Sequence, residues 1–246
     1  LGRDRAWLLA HGEEALAADV TARFDAWLAR RRQGEPVAYL LGEKEFHGLL
    51  LQVDARVLVP RPDTEVLVDW AIELLRDELS ARASPAVVDL GTGSGAIALA
   101  VARACPQARV TATDASPDAL AVAQGNAARL GLPVTWAQGS WWRAVTGQRF
   151  DLALSNPPYI PAGDAHLAAL TAEPLQALSP GPDGLAALRA IVAGATHTLN
   201  PGGWLLLEHG YDQAEAVQRL LKEAGFSKVE TRRDIGGQAR CTGGRR

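Results

Sequence analysis

Ala86-Val87-Val88-Asp89-Leu90-Gly91-Thr92-Gly93-Ser94-Gly95-Ala96 decides the fold of this chain. Ala86 to Leu90 is apolar except for Asp89 and reads as a buried strand. Glycines at alternate positions make the turn, and Ala96 to Ala104 reads as the helix that leaves it. A strand, a glycine turn and a helix in that order open a βαβ unit, and a mostly parallel sheet follows if the alternation continues. It does. Arg109 to Thr113 is a second strand, ending at Asp114. Ser116 caps the next helix, with Pro117 at its first position and Gly131 past its end. Val134 to Gln138 and Phe150 to Leu154 are further strands. Leu185, Leu188, Ile191, Val192 and Leu199 mark a helix, and Asn200-Pro201-Gly202-Gly203 turns the chain into the strand Trp204 to Glu208. Asp212 with Glu215 reads as a capping-box-like helix start, with a stop at Gly225. Lys228 to Arg233 is a late strand, and one beginning near Ala239 is cut short by Gly243-Gly244. The expected class is α/β.

Upstream, the pattern differs. Residues 1–33 have helical spacing at Trp7, Leu8, Phe24, Trp27 and Leu28, closed by Arg30-Arg31-Arg32. The arginines suit a solvated helix end. Gly34-Glu35-Pro36 breaks the helix. Leu49 to Val53 and Arg56 to Val59, around Asp54-Ala55, read as a β-hairpin. Asp63 or Thr64 is the expected cap of a helix running to about Leu79. The organisation expected is a helical piece over 1–33, a linker with the hairpin over 34–62, and the α/β domain over 63–246. The 246 residues include no Met, even at position 1, so an N-terminal piece is expected to be missing.

Two strand ends carry the chemistry. Gly91, Gly93 and Gly95 let a ligand approach the backbone at a helix N-terminus, and Asp114 can accept from ribose hydroxyls. With Ala96 the loop also satisfies a dinucleotide fingerprint, so it leaves a nicotinamide cofactor open. Asp89 beside the glycines suits a cationic ligand with a free amino group. The other strand end is Ser155-Asn156-Pro157-Pro158-Tyr159. Each proline fixes its own φ, lacks an N–H and pushes the residue before it to extended geometry. The Asn156 side chain and the Asn156 and Pro157 carbonyls are therefore free to accept from a planar NH2 group, with Tyr159 offering a flat face beside it. That pattern belongs to methyl transfer onto an amino or amide nitrogen, which favours S-adenosylmethionine.

The apolar fraction is 48%, enough for a full core, and the net charge of −3 gives no surface built to coat nucleic acid. Cys105 and Cys241 have neither metal nor redox spacing. The five histidines show no ligand spacing; His209 could help shape the pocket. Trp142 reads as core. The long loop 160–183 carries Glu173-Pro174, a candidate lid. No run is apolar enough to span a membrane.

The combination of Arg61-Pro62-Asp63-Thr64-Glu65, Asp89-Leu90-Gly91-Thr92-Gly93-Ser94-Gly95 and Asn156-Pro157-Pro158-Tyr159-Ile160 resembles the release-factor glutamine methyltransferases, the PrmC/HemK family of class I S-adenosylmethionine-dependent methyltransferases. The resemblance implies a small helical domain, a hairpin linker and a seven-stranded Rossmann-like catalytic domain. It implies that Gly91, Thr92, Gly93, Ser94 and Gly95 line the methionine part of S-adenosylmethionine, that Asp114 binds its ribose, and that Trp141 packs near its adenine. Asn156 would also border the cofactor. Asn156, Pro157, Pro158 and Tyr159 would hold the substrate glutamine, with Asn156, Pro157 and Tyr159 acting in catalysis. The implied partner is a peptide-chain release factor, methylated at its Gly-Gly-Gln loop by a cytoplasmic monomer. The family's usual acidic residue before the adenine-side Trp is here Ser140. Gly236-Gly237-Gln238 in this chain reads as an ordinary turn. The competing readings are glutamine methylation of a ribosomal protein, adenine N6-methylation of nucleic acid, and a silent cofactor-binding module.

Overall fold

The computed structural model describes residues 1–246. Two helices come first, α1 (Arg5–Ala10) and α2 (Ala18–Arg32), separated by a turn at 11–17 instead of running as one. Neither has a buried residue. Arg30 at the end of α2 pairs with Glu35. A short helix α3 (Val37–Leu41) ends at Gly42, whose φ is +76°.

The hairpin lies upstream of the expected place. Its strands are β1 (Glu43–Phe46) and β2 (Leu49–Gln52), joined across His47-Gly48. Both turn residues have positive φ, +48° and +74°, the conformation a tight two-residue hairpin turn requires. Asp54 to Val57 is a separate turn, closed by Val57 N–H donating to the Asp54 carbonyl at 3.1 Å. Strand β2 alternates: Leu49 and Leu51 are buried and Leu50 is exposed, so one face of the hairpin enters the main core beside Trp70 and Leu75. Asn126 fixes it there. Its amide accepts from Gln52 N–H at 2.7 Å, donates to the Gln52 carbonyl at 3.0 Å and also donates to the Ser94 carbonyl at 3.0 Å.

Helix α4 (Glu65–Arg76) is shorter than expected and has no side-chain cap; a 3₁₀ turn over Pro62–Thr64 leads into it. Then come β3 (Ala86–Leu90), α5 (Ala96–Ala104), β4 (Arg109–Asp114), α6 (Pro117–Leu130), β5 (Thr135–Gln138), β6 (Phe150–Ser155), α7 (Ala186–Thr198), β7 (Leu199–Glu208), α8 (Ala214–Glu223), β8 (Ser227–Arg233) and β9 (Ala239–Arg245). The seven strands lie in the order β5-β4-β3-β6-β7-β9-β8. The first four connections are parallel, and β9 runs antiparallel to both its neighbours. One core layer holds α4 and α5 on one face of the sheet; the other holds α7 and α8. Ser116 and Gly131 bound α6 as expected. Asp212 caps nothing: Gln213 precedes α8 and spends its side chain on Gly210 N–H and the Tyr159 carbonyl.

Gly243-Gly244 does not truncate the last strand. Both glycines lie inside β9, opposite Leu206 and Leu205. A Cβ on Gly243 would press into Leu206 and stand 2.7 Å from the Trp70 ring, so the glycine makes room for side chains that fill the core there. No helix is long and apolar enough to cross a membrane.

Candidate active site

The glycine loop leaves β3 and hangs from the end of β4: the Gly91 and Thr92 N–H groups donate to the Thr113 carbonyl at 2.9 and 2.8 Å. Two of its glycines are there for different reasons. At Gly91, φ +76°, a Cβ would stand 3.1 Å from the Trp141 ring, so the bare backbone is a ledge on which that ring rests. At Gly95, φ +85°, a Cβ would stand 3.1 Å from Leu99 and 3.2 Å from Ala123, so α5 could not pack against α6. Asp114 closes the far side, accepting from Gly93 N–H and Ser116 N–H at 2.9 Å each. Gly91, Thr92, Gly93, Ser94, Asp114, Ser140 and Trp141 all face one cavity; Gly95 stays behind it in the helix packing. Trp141 holds φ +48°, uncommon for a side chain of this size, in the turn that presents it.

Beneath the loop Asp89 is fully buried. Oδ2 accepts from the Thr92 hydroxyl at 2.6 Å, whereas Oδ1 has no partner. Burial pushes its pKa up to about 7, with the Thr92 bond opposing. A nearby cation would hold it ionised.

The second strand end meets the first. Ser155 Oγ donates to the Leu90 carbonyl at 2.6 Å, tying β6 to β3 just where both chains leave the sheet. Asn156 and Pro158 line the same cavity as the glycine loop; Pro157 and Tyr159 are not among its walls. Asn156 Nδ2 donates to Thr64 Oγ1 at 3.2 Å. The Tyr159 ring packs against the α7 layer, and its hydroxyl donates to Glu208 Oε1 at 3.2 Å. Tyr159 thus anchors the strand end from behind. Glu208 is fully buried and its pKa is raised to about 7, by burial against the opposing Thr64 hydroxyl, Arg240 charge and Tyr159 hydroxyl.

The loop 160–183 is tied at both its base and its middle. Ile160 N–H donates to the Leu178 carbonyl at 2.9 Å and Ala162 N–H to Gly181 at 3.0 Å. Buried Glu173 accepts from Val59 N–H at 3.0 Å and pairs with Arg61, and Pro174, Gln176 and Ala177 form a cavity wall. Arg61 and Phe46 complete the wall on the hairpin side. Trp142 is half-buried and packs against the α7 core layer, its Nε1–H donating to the Ile191 carbonyl at 2.8 Å. His209 is also internal, bonded to Thr242 and Gly210 and outside the cavity wall. Gly236-Gly237-Gln238 is the exposed β8–β9 turn, closed on Asp234. Thr64, Asn126 and Glu208 were not singled out as site residues by sequence reasoning. Their signal was a polar residue where an apolar one, or a mere cap, would serve.

The donor set fits S-adenosylmethionine: a glycine backbone at a helix start, a carboxylate at the end of the next strand, a bare ledge under an indole, and an unpartnered buried carboxylate oxygen beneath the loop. Fold and cavity together define a class I S-adenosylmethionine-dependent methyltransferase. A family model described as the methyltransferase small domain matches residues 64–181, and one described as the PrmC N-terminal domain matches residues 1–42. The chain is 53% identical to a release factor glutamine methyltransferase of Bordetella pertussis, over 99% of this chain and 90% of that protein. It is 50% identical to one of Xylella fastidiosa, over 98% and 88%. A solved methyltransferase from Pyrococcus furiosus shares the fold at a TM-score of 0.57 and 20% identity, covering 80% of this chain and 89% of that one. This chain belongs to the release factor glutamine methyltransferase family.

Proposed function

We propose that the chain transfers a methyl group from S-adenosylmethionine to the side-chain amide nitrogen, N5, of the glutamine in the Gly-Gly-Gln loop of peptide-chain release factors. The observation that carries this reading is Asn156. Its NH2 end is spent on Thr64, which leaves Oδ1 without a protein partner at the wall it shares with the cofactor loop. An oxygen there accepts from an incoming NH2 group.

An amide nitrogen is a poor nucleophile because its lone pair is delocalised into its carbonyl. S-adenosylmethionine supplies the electrophilic methyl group when bound, and Gly91 to Ser94, Asp114 and Trp141 would hold it. Asn156 Oδ1 and the Pro157 carbonyl accept the two N–H bonds of the target. That holds the nitrogen in one orientation and favours the positive charge it gains as the methyl group arrives; the nitrogen then gives up one of its two protons to solvent and is left a neutral N-methyl amide. The prolines keep those acceptors from turning into a helix. Tyr159 holds the strand end rather than facing the amide. The helical piece 1–33, joined through 34–62 to the catalytic domain 63–246, serves as the arm that meets the release factor. The enzyme works as a cytoplasmic monomer.

The test is methyl transfer from labelled S-adenosylmethionine to a purified release factor, beside the same factor with its loop Gln changed. Label on the normal factor alone is the expected result. Label on neither, with cofactor binding intact, refutes it. Asn156→Ala should lower kcat far more than it weakens cofactor binding.

A further inference from the structure

Of the chain's glutamines only Gln238 follows two glycines, in Gly236-Gly237-Gln238. The structure sets that tripeptide at the tip of the β8–β9 turn. Ile235, Gly236, Gly237 and Gln238 are all exposed, Ile235 completely. The main chain of the turn is satisfied from within. Gly237 N–H donates to the Asp234 carbonyl, Asp234 N–H to the Gln238 carbonyl and Gln238 N–H to Asp234 Oδ1, each at 2.9 Å. Arg240 Nε–H in turn holds Asp234 Oδ2 at 3.0 Å. The Gln238 side chain takes no share in this. Gln213 spends its amide on the Tyr159 carbonyl and Gly210 N–H, and Gln218 bonds to Thr231, whereas the exposed Gln238 NH2 group faces solvent. Gly237 has φ +79° and open space where a Cβ would stand. Bare backbone ahead of a glutamine lets its side chain go first into a cavity walled by Phe46, Pro158 and Pro174.

The turn and the cavity open on the same edge of the sheet. Ser155 of β6 pairs with Leu207 of β7, which pairs with Thr242 of β9. Asn156 leaves the sheet just past this row. Because β9 runs the other way, Gln238, which precedes Thr242 by four residues, lies past the row too. It does not reach its own Asn156. At about 4.8 Å between strands and about 3.4 Å per residue, the two Cα atoms stand about 14 Å apart. A Gln side chain spans about 5 Å and an Asn side chain less, so the gap stays open. The three bonds to Asp234 keep the turn from leaning across.

We propose that Gln238 is itself a methylation site, its side-chain amide nitrogen taking a methyl group from S-adenosylmethionine in the cavity of a second copy of this chain during a passing encounter. The inference rests on the reading of a Gly-Gly-Gln glutamine as the target and of Asn156 as its holder. The new bond joins Gln238 Nε2 to the methyl carbon. The carbon–sulfur bond breaks and sulfur keeps its electron pair, leaving S-adenosylhomocysteine. One of the two N–H protons goes to solvent, so the product is a neutral N-methyl amide. The turn thereby competes with the release factor for the same cavity.

The experiment uses the full chain. Wild type, Gln238→Ala and Asn156→Ala are incubated with labelled S-adenosylmethionine, with and without a purified release factor. Trypsin then releases Asp234–Arg240, in which Gln238 is the only side-chain amide, and its mass is read. One added methyl group on that peptide is expected in wild type, both as purified and after incubation, and excess release factor should suppress further labelling. The initial rate should rise about fourfold when the enzyme concentration is doubled, as a bimolecular encounter demands. Gln238→Ala keeps the catalytic site and Asn156→Ala keeps the acceptor. Mixed, they should label the Asn156→Ala copy; apart, neither should take label on this peptide. Gln238→Ala should methylate the release factor at the wild-type rate. A release factor labelled normally while Asp234–Arg240 stays bare, as purified and after incubation, would overturn the proposal and leave the Gly-Gly-Gln reading standing. A rate first-order in enzyme, or no label in the mixed variants, would also overturn it. No label on either protein, with S-adenosylhomocysteine affinity intact by calorimetry, would overturn the reading and the proposal with it.

Discussion

Replacing Gly194 with alanine should destabilise this protein, although the same change in an exposed helix ordinarily stabilises one. Gly194 lies inside α7, where alanine gains about 1 kcal/mol in helix propensity. Against that gain, the new Cβ would collide with the Trp142 indole, standing 2.6 Å from Nε1 and 2.8 Å from Cγ. The ring has to move, and it takes with it the Nε1–H bond to the Ile191 carbonyl. An indole donor left unpaired in a half-buried place costs about 1–3 kcal/mol. Overpacking costs about 1–3 kcal/mol more. The net loss is about 1–5 kcal/mol, and at about 2–4 °C per kcal/mol for a chain of this size the mid-range fall in Tm is about 9 °C. Because Trp141 is the next residue back, cofactor affinity should drop as well. Gly125→Ala is the control. Gly125 is exposed within α6 and an added Cβ meets nothing within 4 Å, so its Tm should rise by about 2–4 °C. Thermal melts of both variants, followed by circular dichroism, decide the matter. If both Tm values rise, Trp142 is not seated against α7 and the placement of Trp141 over Gly91 loses its support.

Gly91→Ala sets a side chain at φ +76° against Trp141 and should weaken S-adenosylmethionine binding by about tenfold or more, read by calorimetry. Glu173→Ala strands the Arg61 guanidinium and the Val59 N–H; it should cost about 1–3 kcal/mol and speed hydrogen exchange at the Ile160 and Ala162 amides. Asp89 and Glu208 both hold their protons to about pH 7 by burial, while the unfolded chain releases them near the ordinary carboxylate range. The folded state therefore binds more protons in that interval, and stability falls as pH rises through 7. Tm measured from pH 6 to 8, above the range where the lowered carboxyls Asp54 and Glu78 titrate, should decline, and Asp89→Asn should flatten the decline while weakening cofactor binding.

The parallel half of the sheet was legible because its signals are local. Each strand is a short apolar run, and Gly91 to Gly95, Ser116 and Gly131 punctuate it. The pattern hides the first strand of the hairpin, because Glu43-Lys44-Glu45-Phe46 has three charges in four residues and His47-Gly48 lacks the Asn or Asp that usually announces such a turn. The expected strand over Leu49 to Val53 matches β2 at Leu49–Gln52, but its partner is β1 and not Arg56 to Val59. The last strand failed for another reason. Gly243-Gly244 looks like a stop, and only Trp70 and Leu206, far away in sequence, reveal that it is a space for side chains. At the site, Asn156 and the glycine loop were visible, since their geometry is set by adjacent prolines and glycines. The roles of Thr64 and Glu208 were not. They depend on contacts across 92 and 49 residues of chain, Thr64 with Asn156 and Tyr159 with Glu208, which no short pattern encodes.

Strand order also dictates a sequence of events in folding. Strand β9 lies between β7 and β8, both of which precede it in the chain. Until β9 arrives, β8 has no ladder to join and β7 presents an open edge flanked by Trp204 and Leu206. A chain emerging from the ribosome can build the sheet as far as β7 and then must wait. That waiting species carries an unpaired, apolar strand edge, the kind of surface that recruits other chains. The step that retires it is the insertion of a seven-residue strand whose Gly243 must seat against the Trp70 ring and whose Gly244 must seat against Phe226. Yield on refolding, rather than stability once folded, is where damage to Ala239–Arg245 should register first.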